Sequence, residues 1–152
     1  MSAAASSVED RFRYVLRLGD ASLVLAQRLG ECIGRAPALE EELGLANTAL
    51  DLLGQARLLL KYAGEIEGKG RTEDDLAFLR GEREFLNPTL VEQPNGHFGH
   101  TLVRQLLIDA WQLELYERLA RSSDARLAEI AAKAVKETRY MEIGRASCRE
   151  RV

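Results

Sequence analysis

The segment from Ala38 to Ile66 carries two apolar stripes at helical spacing, and a helix of that kind has to be covered on two sides. Leu39, Leu43, Ala46, Leu50 and Leu53 form one stripe; Leu45, Ala49, Leu52, Ala56, Leu59 and Ala63 form the other. Such a helix is expected inside a bundle, and three further long patterns supply its neighbours. The first, Val8 to Ile33, advances through Phe12, Leu16, Gly19, Leu23, Ala26, Gly30 and Ile33. The third, Phe98 to Ala120, aligns Leu102, Leu106, Asp109, Leu113 and Tyr116. The fourth starts near Asp124 and aligns Leu127, Ile130, Ala134, Glu137 and Met141.

Gly34-Arg35-Ala36-Pro37, Gly68-Lys69-Gly70 and Ser122-Ser123-Asp124 punctuate these patterns. Pro37 suits the first turn of the second helix. The second and third patterns are joined by a longer stretch. It holds a shorter helix from Thr72 to Phe85, with Thr72 as N-cap, and then an irregular run through Asn87-Pro88 and Glu92 to Gly96. Two antiparallel helical hairpins joined by one crossover predict an all-α, ferritin-like four-helix bundle.

The chain has 152 residues, 46% of them hydrophobic and 30% charged, enough for one domain with its own core. A net charge of −3 gives no basic footprint for nucleic acid. No apolar run approaches the roughly 20 residues needed to cross a bilayer. Met1 to Ser7 lacks the cationic and apolar regions of a signal peptide, so a cytoplasmic location is expected. Residues 1–7 read as a disordered start and 8–141 as the helical domain. Residues 142–152, Glu-Ile-Gly-Arg-Ala-Ser-Cys-Arg-Glu-Arg-Val, back-translate to contain AGATCGGAAGAGC, a string used in sequencing adapters. They are read as a non-native tail on a truncated domain whose C-terminal helices are missing. Cys32 and Cys148 make neither a disulfide framework nor a metal cluster, and Cys32 has no base to activate it.

Ferritin-like di-iron proteins take one carboxylate from each of two helices and a Glu-x-x-His pair from each of the other two. No Glu-x-x-His exists anywhere in this chain. The two histidines, His97 and His100, stand together at the start of the third pattern and read as loop or capping residues. Polar residues nevertheless sit where ligands would. Asp109 interrupts the third stripe and Glu137 the fourth, and Asn47, Asp51 and Gln55 form a polar ridge between the two leucine stripes of the second. Asp20, on the first, is the weakest member, because its face also carries Arg13, Arg17, Gln27 and Glu31. These residues fit either a metal site or a buried polar network that fixes helix register, and the lack of histidine favours the network. Trp111 and Tyr116 read as core, and the stretch from Arg80 to Glu84 as mixed-charge surface or a docking rim.

Several stretches also resemble a known family: Tyr14 to Asp20, Ala46 to Arg57, Tyr62 to Gly70, Asp74 to Arg80, Val91 to Gly96 and Ile108 to Gln112. They are similar to the C subunits of phenylacetyl-CoA epoxidase, a multicomponent bacterial oxygenase of aerobic phenylacetate breakdown, and the resemblance covers nearly everything from Tyr14 to Tyr140. Members of that family run on past the end of this chain. The resemblance implies a catalytically silent partner without a cofactor of its own. It would pair with a catalytic A subunit of similar fold, which holds the di-iron centre, and with the other subunits of the complex. It also implies a register for the vestigial pocket. Leu52 and Gln55 stand where the A subunit has its Glu and His, Asp109 matches the third-helix carboxylate, and Thr138 and Met141 take the fourth-helix positions. The stripe reading and this register together give an expected vestigial pocket of Asp20, Asp51, Leu52, Gln55, Asp109, Glu137 and Thr138, with no metal ligand and no catalytic residue among them. A di-iron oxygenase acting in its own right is the rival expectation.

Overall fold

The computed structural model describes the backbone of residues 2–149 and the side chains of residues 7–139. Among the described residues every regular element is helical: α1 (Ser2–Gly30), α2 (Leu39–Glu67), α3 (Glu73–Phe78), a 3₁₀ turn (Glu82–Glu84), α4 (Thr89–Glu92), α5 (Phe98–Leu119) and α6 (Ala125–Arg149). α1 and α2 form the first hairpin and α5 and α6 the second, with α2 also packed on α6. Gly19 fits against Leu60; a Cβ there would stand 2.8 Å from Leu60 Cδ2, so α1 and α2 approach closely at that point. Gln55 and Tyr62 of α2 meet Glu137 and Asp124 of α6, and Ser22 and Cys32 of α1 meet Tyr116 and Thr101 of α5. These pairs make α2 and α5 run the same way, joined by the 68–97 crossover, which is the ferritin-like bundle.

Local signals explain three helix starts. Thr72 caps α3 with a capping box: its Oγ1 accepts from Asp75 N at 3.2 Å, and Asp75 Oδ2 accepts from Thr72 N at 2.8 Å. Asp124 caps α6, accepting from Leu127 N at 3.1 Å. His97 caps α5, its Nδ1 accepting from Gly99 N at 3.1 Å.

Other boundaries differ from the sequence expectation. α1 is described from Ser2, so helix covers residues 2–7 of the stretch expected to be disordered; Ala3-Ala4-Ala5 is strongly helix-forming. Met1 lies outside the described residues. α6 runs past residue 141 to Arg149, into the adapter-like run, while residues 150–152 and the side chains of Met141 and Cys148 lie outside the described residues. Pro37 precedes α2, whose N-cap is Ala38, and this puts Glu40, Glu41 and Glu42 in the first turn, where the helix dipole favours them. The expected Thr72–Phe85 helix stops at Phe78, because Leu79, Arg80 and Gly81 leave it to aim Arg80 inward.

The core holds two large apolar clusters and a small third one of Tyr116, Ala131 and Ala134. The first large cluster gathers Phe12, Val15, Leu16, Leu59, Leu60 and Leu76 with Leu127 and Ile130; the second gathers Leu25, Leu29, Leu45, Ala49 and Leu52 with Val91 and Ile108. Between them lies a band of buried polar side chains drawn from all four long helices, including Ser22, Gln55, Gln112 and Thr138.

Two helices are rotated from the expected setting. The Leu45–Ala63 stripe of α2 is buried, but Leu39, Leu43, Leu50 and Leu53 are exposed, so α2 is covered on one side and not on both. α5 turns Thr101, Arg104, Gln105, Ile108, Asp109, Gln112 and Tyr116 inward, leaving Leu106 and Trp111 exposed although the sequence reading puts both in the core. Polar contacts set that rotation. Arg104 donates to Gln93 O at 2.7 Å and to Asn95 Oδ1 at 2.6 Å, fastening the crossover, and Tyr116 pairs with Ser22 at 3.5 Å.

The Tyr62 hydroxyl donates to Asp124 Oδ2 at 2.5 Å and ties α2 to the start of α6. Burial, then this bond and the Asp124 charge, push the Tyr62 hydroxyl up from 10.0 to about 12; burial does the same for Tyr116, also to about 12. Both values are raised in the folded state, so the stability tied to them is fully present below pH 10.0 and is lost as pH rises through about 12. Helicity and tyrosinate absorbance are therefore expected to change together in that window, and the double variant Tyr62→Phe/Tyr116→Phe to flatten the change. Titration of Tyr62 and Tyr116 near pH 10 with helicity intact, separated from that of Tyr14 and Tyr140 by difference against the double variant, would contradict the burial of both rings.

Candidate functional site

The bundle centre is where a ferritin-like protein places chemistry, and the helix register identifies which residues occupy it. With Gly19 against Leu60, the α1 residues level with Leu52 and Gln55 are Val24 to Gln27, of which Leu25 and Ala26 are buried. α2 contributes Leu52, fully enclosed, and Gln55, buried. α5 contributes Asp109 and α6 Thr138, each about 1% exposed. Glu137 is half-buried at the edge: its Oε2 accepts from Gln55 Nε2 at 3.2 Å, and Lys133 Nζ stands 3.7 Å from Oε1. Asp51 is half-buried and Asn47 exposed, so the polar ridge of α2 turns inward only at Gln55. Asp109 Oδ1 accepts from Gln105 Nε2 at 2.8 Å, one helical turn away.

Asp20 does not join this group. It lies level with Leu59, about 6 Å along α1 from the residues opposite Gln55. It is also not solvated: the side chain is 0% exposed and forms a two-pronged ion pair with Arg80, itself 3% exposed. Arg80 Nη1 donates to Asp20 Oδ2 at 3.0 Å, Nη2 donates to Oδ1, and Leu86 N adds a bond to Oδ2 at 2.9 Å. Arg80 also donates from Nε to Leu76 O and from Nη1 to Glu84 O at 3.2 Å, and stacks 4.3 Å from the Phe85 ring centroid. The stretch read as mixed-charge surface thus supplies a buried arginine that pins the crossover to α1. In the sequence Arg80 looks like any charged residue at a helix end, because its partner lies 60 residues earlier.

Among the described residues the donor set at the centre does not fit a di-iron group. Two irons in this fold draw on four carboxylates and two imidazoles. Among the described residues α1 offers Leu25 and Ala26, α2 a leucine and an amide, α5 one carboxylate and α6 a hydroxyl, with the half-buried Glu137 carboxylate at the edge; the side chain of Met141 lies outside the described residues. Among the described residues no three His, Cys, Asp or Glu side chains cluster as metal ligands would. The acceptors Gln55 Oε1, Gln105 Oε1, Gln112 Oε1 and Thr138 Oγ1 meet no donor among the described residues. Sequence reasoning missed Ser22, Gln105 and Gln112, although Gln105, Asp109, Gln112 and Tyr116 recur in steps of four, three and four. That spacing was the available signal, obscured by the more apolar stripe beside it.

Cys32 is buried, with its Sγ 3.6 Å from Arg28 O and 3.8 Å from Thr101 Oγ1, and no base among the described residues bonds to it. His97 caps α5, and His100 is exposed with its ring centroid 6.2 Å from that of His97. No helix among the described residues is long and apolar enough to cross a membrane.

Known proteins bear on this geometry. Residues 2–142 match the model of a family described as phenylacetic acid catabolic protein. The chain is also 61% identical over 127 residues to the C subunit of 1,2-phenylacetyl-CoA epoxidase from Escherichia coli (strain K12); the match covers 84% of this chain and 51% of that protein. The chain thus spans about half the length of this curated relative. An all-helical ferritin-like bundle and a family match over nearly its whole length lead to one assignment: the chain belongs to the phenylacetic acid catabolic protein family.

Proposed function

We propose that this chain is a non-catalytic structural subunit of a multicomponent phenylacetyl-CoA epoxidase in aerobic phenylacetate catabolism. It pairs with a di-iron catalytic subunit of similar fold and holds that subunit's helices in a working arrangement, in the cytoplasm. It carries no cofactor of its own. The observation that supports this reading is the bundle centre, where Leu25, Leu52, Gln55 and Thr138 stand at the levels a di-iron protein reserves for carboxylates and imidazoles. The Gln55 amide, bonded to Glu137, ties α2 to α6 without binding iron, and the 61% identity to an epoxidase C subunit supports the metabolic setting.

Iron per chain in the full-length subunit, expressed alone in iron-replete medium, tests the reading. The expected result is near-zero iron, together with co-purification with the catalytic subunit when the two are expressed together. Stoichiometric iron in the isolated subunit would overturn it in favour of an oxygenase in its own right.

A further inference from the structure

Asn95 fastens the crossover to both hairpins at once. Its Oδ1 accepts from Arg104 Nη2 of α5 at 2.6 Å, and its Nδ2 donates to Arg28 O of α1 at 2.6 Å and to Glu31 Oε2, just past α1, at 3.0 Å. Arg104 can only donate and a main-chain carbonyl can only accept, so the amide has one orientation. Arg104 is 5% exposed, and among the described residues its hydrogen bonds reach only neutral oxygens, Gln93 O and Asn95 Oδ1. The residue after Asn95 is Gly96, and the exposed His100 places its Nδ1 3.0 Å from where a Gly96 Cβ would lie. The Asn95 amide thus has a cation on its oxygen, a carboxylate on its nitrogen and an imidazole beside the peptide that follows it.

We propose that Asn95 is a site of self-modification: it deamidates through a cyclic imide closed by the Gly96 nitrogen, and the conversion loosens the crossover's hold on α1. Glycine opens this route because no side chain obstructs the approach of its nitrogen to the preceding residue. His100 Nδ1 takes the proton of the Gly96 N–H, and the nitrogen forms a bond to Asn95 Cγ. The negative charge that develops on Oδ1 is held by the Arg104 guanidinium already bonded there. The Cγ–Nδ2 bond then breaks, the His100 imidazolium returns its proton to the departing nitrogen, and ammonia leaves. Water opens the imide: attack at Cγ yields an aspartate, and attack at the main-chain carbonyl an isoaspartate. Either product carries a carboxylate in place of the amide. That charge suits the buried Arg104, but it cannot donate to Arg28 O, and it faces the like charge of Glu31. The attachment to α5 is kept, and the attachment to α1 falls back on the Arg28 bond to Glu92 O.

Ageing the full-length subunit at neutral pH, folded and unfolded in urea, provides the test. Conversion is read from the mass of the peptide containing residue 95 and from isoaspartyl methyltransferase labelling. The expected result is conversion roughly tenfold faster in the folded subunit than in urea, the advantage a positioned base and an oxyanion donor supply. His100→Gln is expected to remove that advantage while leaving the subunit folded, because His100 is exposed. Slower conversion in the folded subunit than in urea would mean that the three bonds protect Asn95, and would overturn the proposal. An undiminished folded-state rate in His100→Gln would overturn it as well. Asn95→Asp reproduces one product directly, and it is expected to speed hydrogen exchange roughly tenfold at the amides of Glu31 to Ile33, where α1 ends. Unchanged exchange there would show that the crossover stays attached and would overturn the loosening.

Discussion

Asp20→Asn, or Arg80→Met, is expected to lower the unfolding free energy by about 3–5 kcal/mol, the usual loss when one member of a buried ion pair is removed. The size follows from the surroundings. Both side chains are almost fully enclosed, so whichever charge remains is left in a poorly solvating interior. With asparagine at position 20, the new amide can still accept from Leu86 N but no longer neutralises the guanidinium. With methionine at position 80, the carboxylate keeps only the Leu86 amide, and the Arg80 bonds to Leu76 O and Glu84 O are lost as well. Both variants are expected to loosen the 79–86 segment first, visible as faster hydrogen exchange at Leu86 N. The double change Asp20→Leu/Arg80→Met is expected to cost far less than either single change, because no unpaired charge remains. Urea unfolding of the three variants is the measurement. A loss under about 1 kcal/mol for both single variants would mean that the pair is solvated, contrary to its burial.

Leu52→Glu is expected to be as damaging, and adding Gln55→His is not expected to recruit iron. Leu52 is fully enclosed between Leu25, Leu29, Ala49 and Ile108 in the second apolar cluster. A carboxylate there has no basic partner within the cluster, so it either takes up a proton or unfolds its surroundings; both routes cost several kcal/mol. The two changes together would restore the α2 half of a di-iron donor set. That half would still face Leu25 and Ala26 on α1 and Thr138 on α6, and with Asp109 and Glu137 it would make three carboxylates and one imidazole, too few ligands for two metals. Iron content and urea midpoint together decide the matter. Stoichiometric iron in the double variant would show that the centre retains ligands beyond those named, and would count against the scaffold reading as well.

Much of the fold was legible in the sequence because it depends on local periodicity. The four long helices, the crossover between the second and third, the Thr72 cap and the capping role of His97 all follow from spacing and from residue types at helix ends. The candidate site was legible in part. Gln55, Asp109 and Glu137 stood out because a polar side chain on an apolar stripe breaks a pattern, and two of the three are buried. Asp20 also stood out, but its partner did not: nothing near position 20 announces an arginine 60 residues later.

The sequence by itself determined how many long helices form, where they break and which residues share a face, since those properties rest on interactions three or four residues apart. Only the tertiary structure decided which face of each helix turns inward. α2 carries two stripes of nearly equal apolarity, and Gly19 of α1, by admitting Leu60, selects the Leu45–Ala63 stripe and leaves the Leu39–Leu53 stripe outside. α5 likewise has an apolar and a polar face. Bonds from Arg104 to the crossover and from Tyr116 to Ser22 turn the polar face in, because buried polar groups need partners that only distant segments supply.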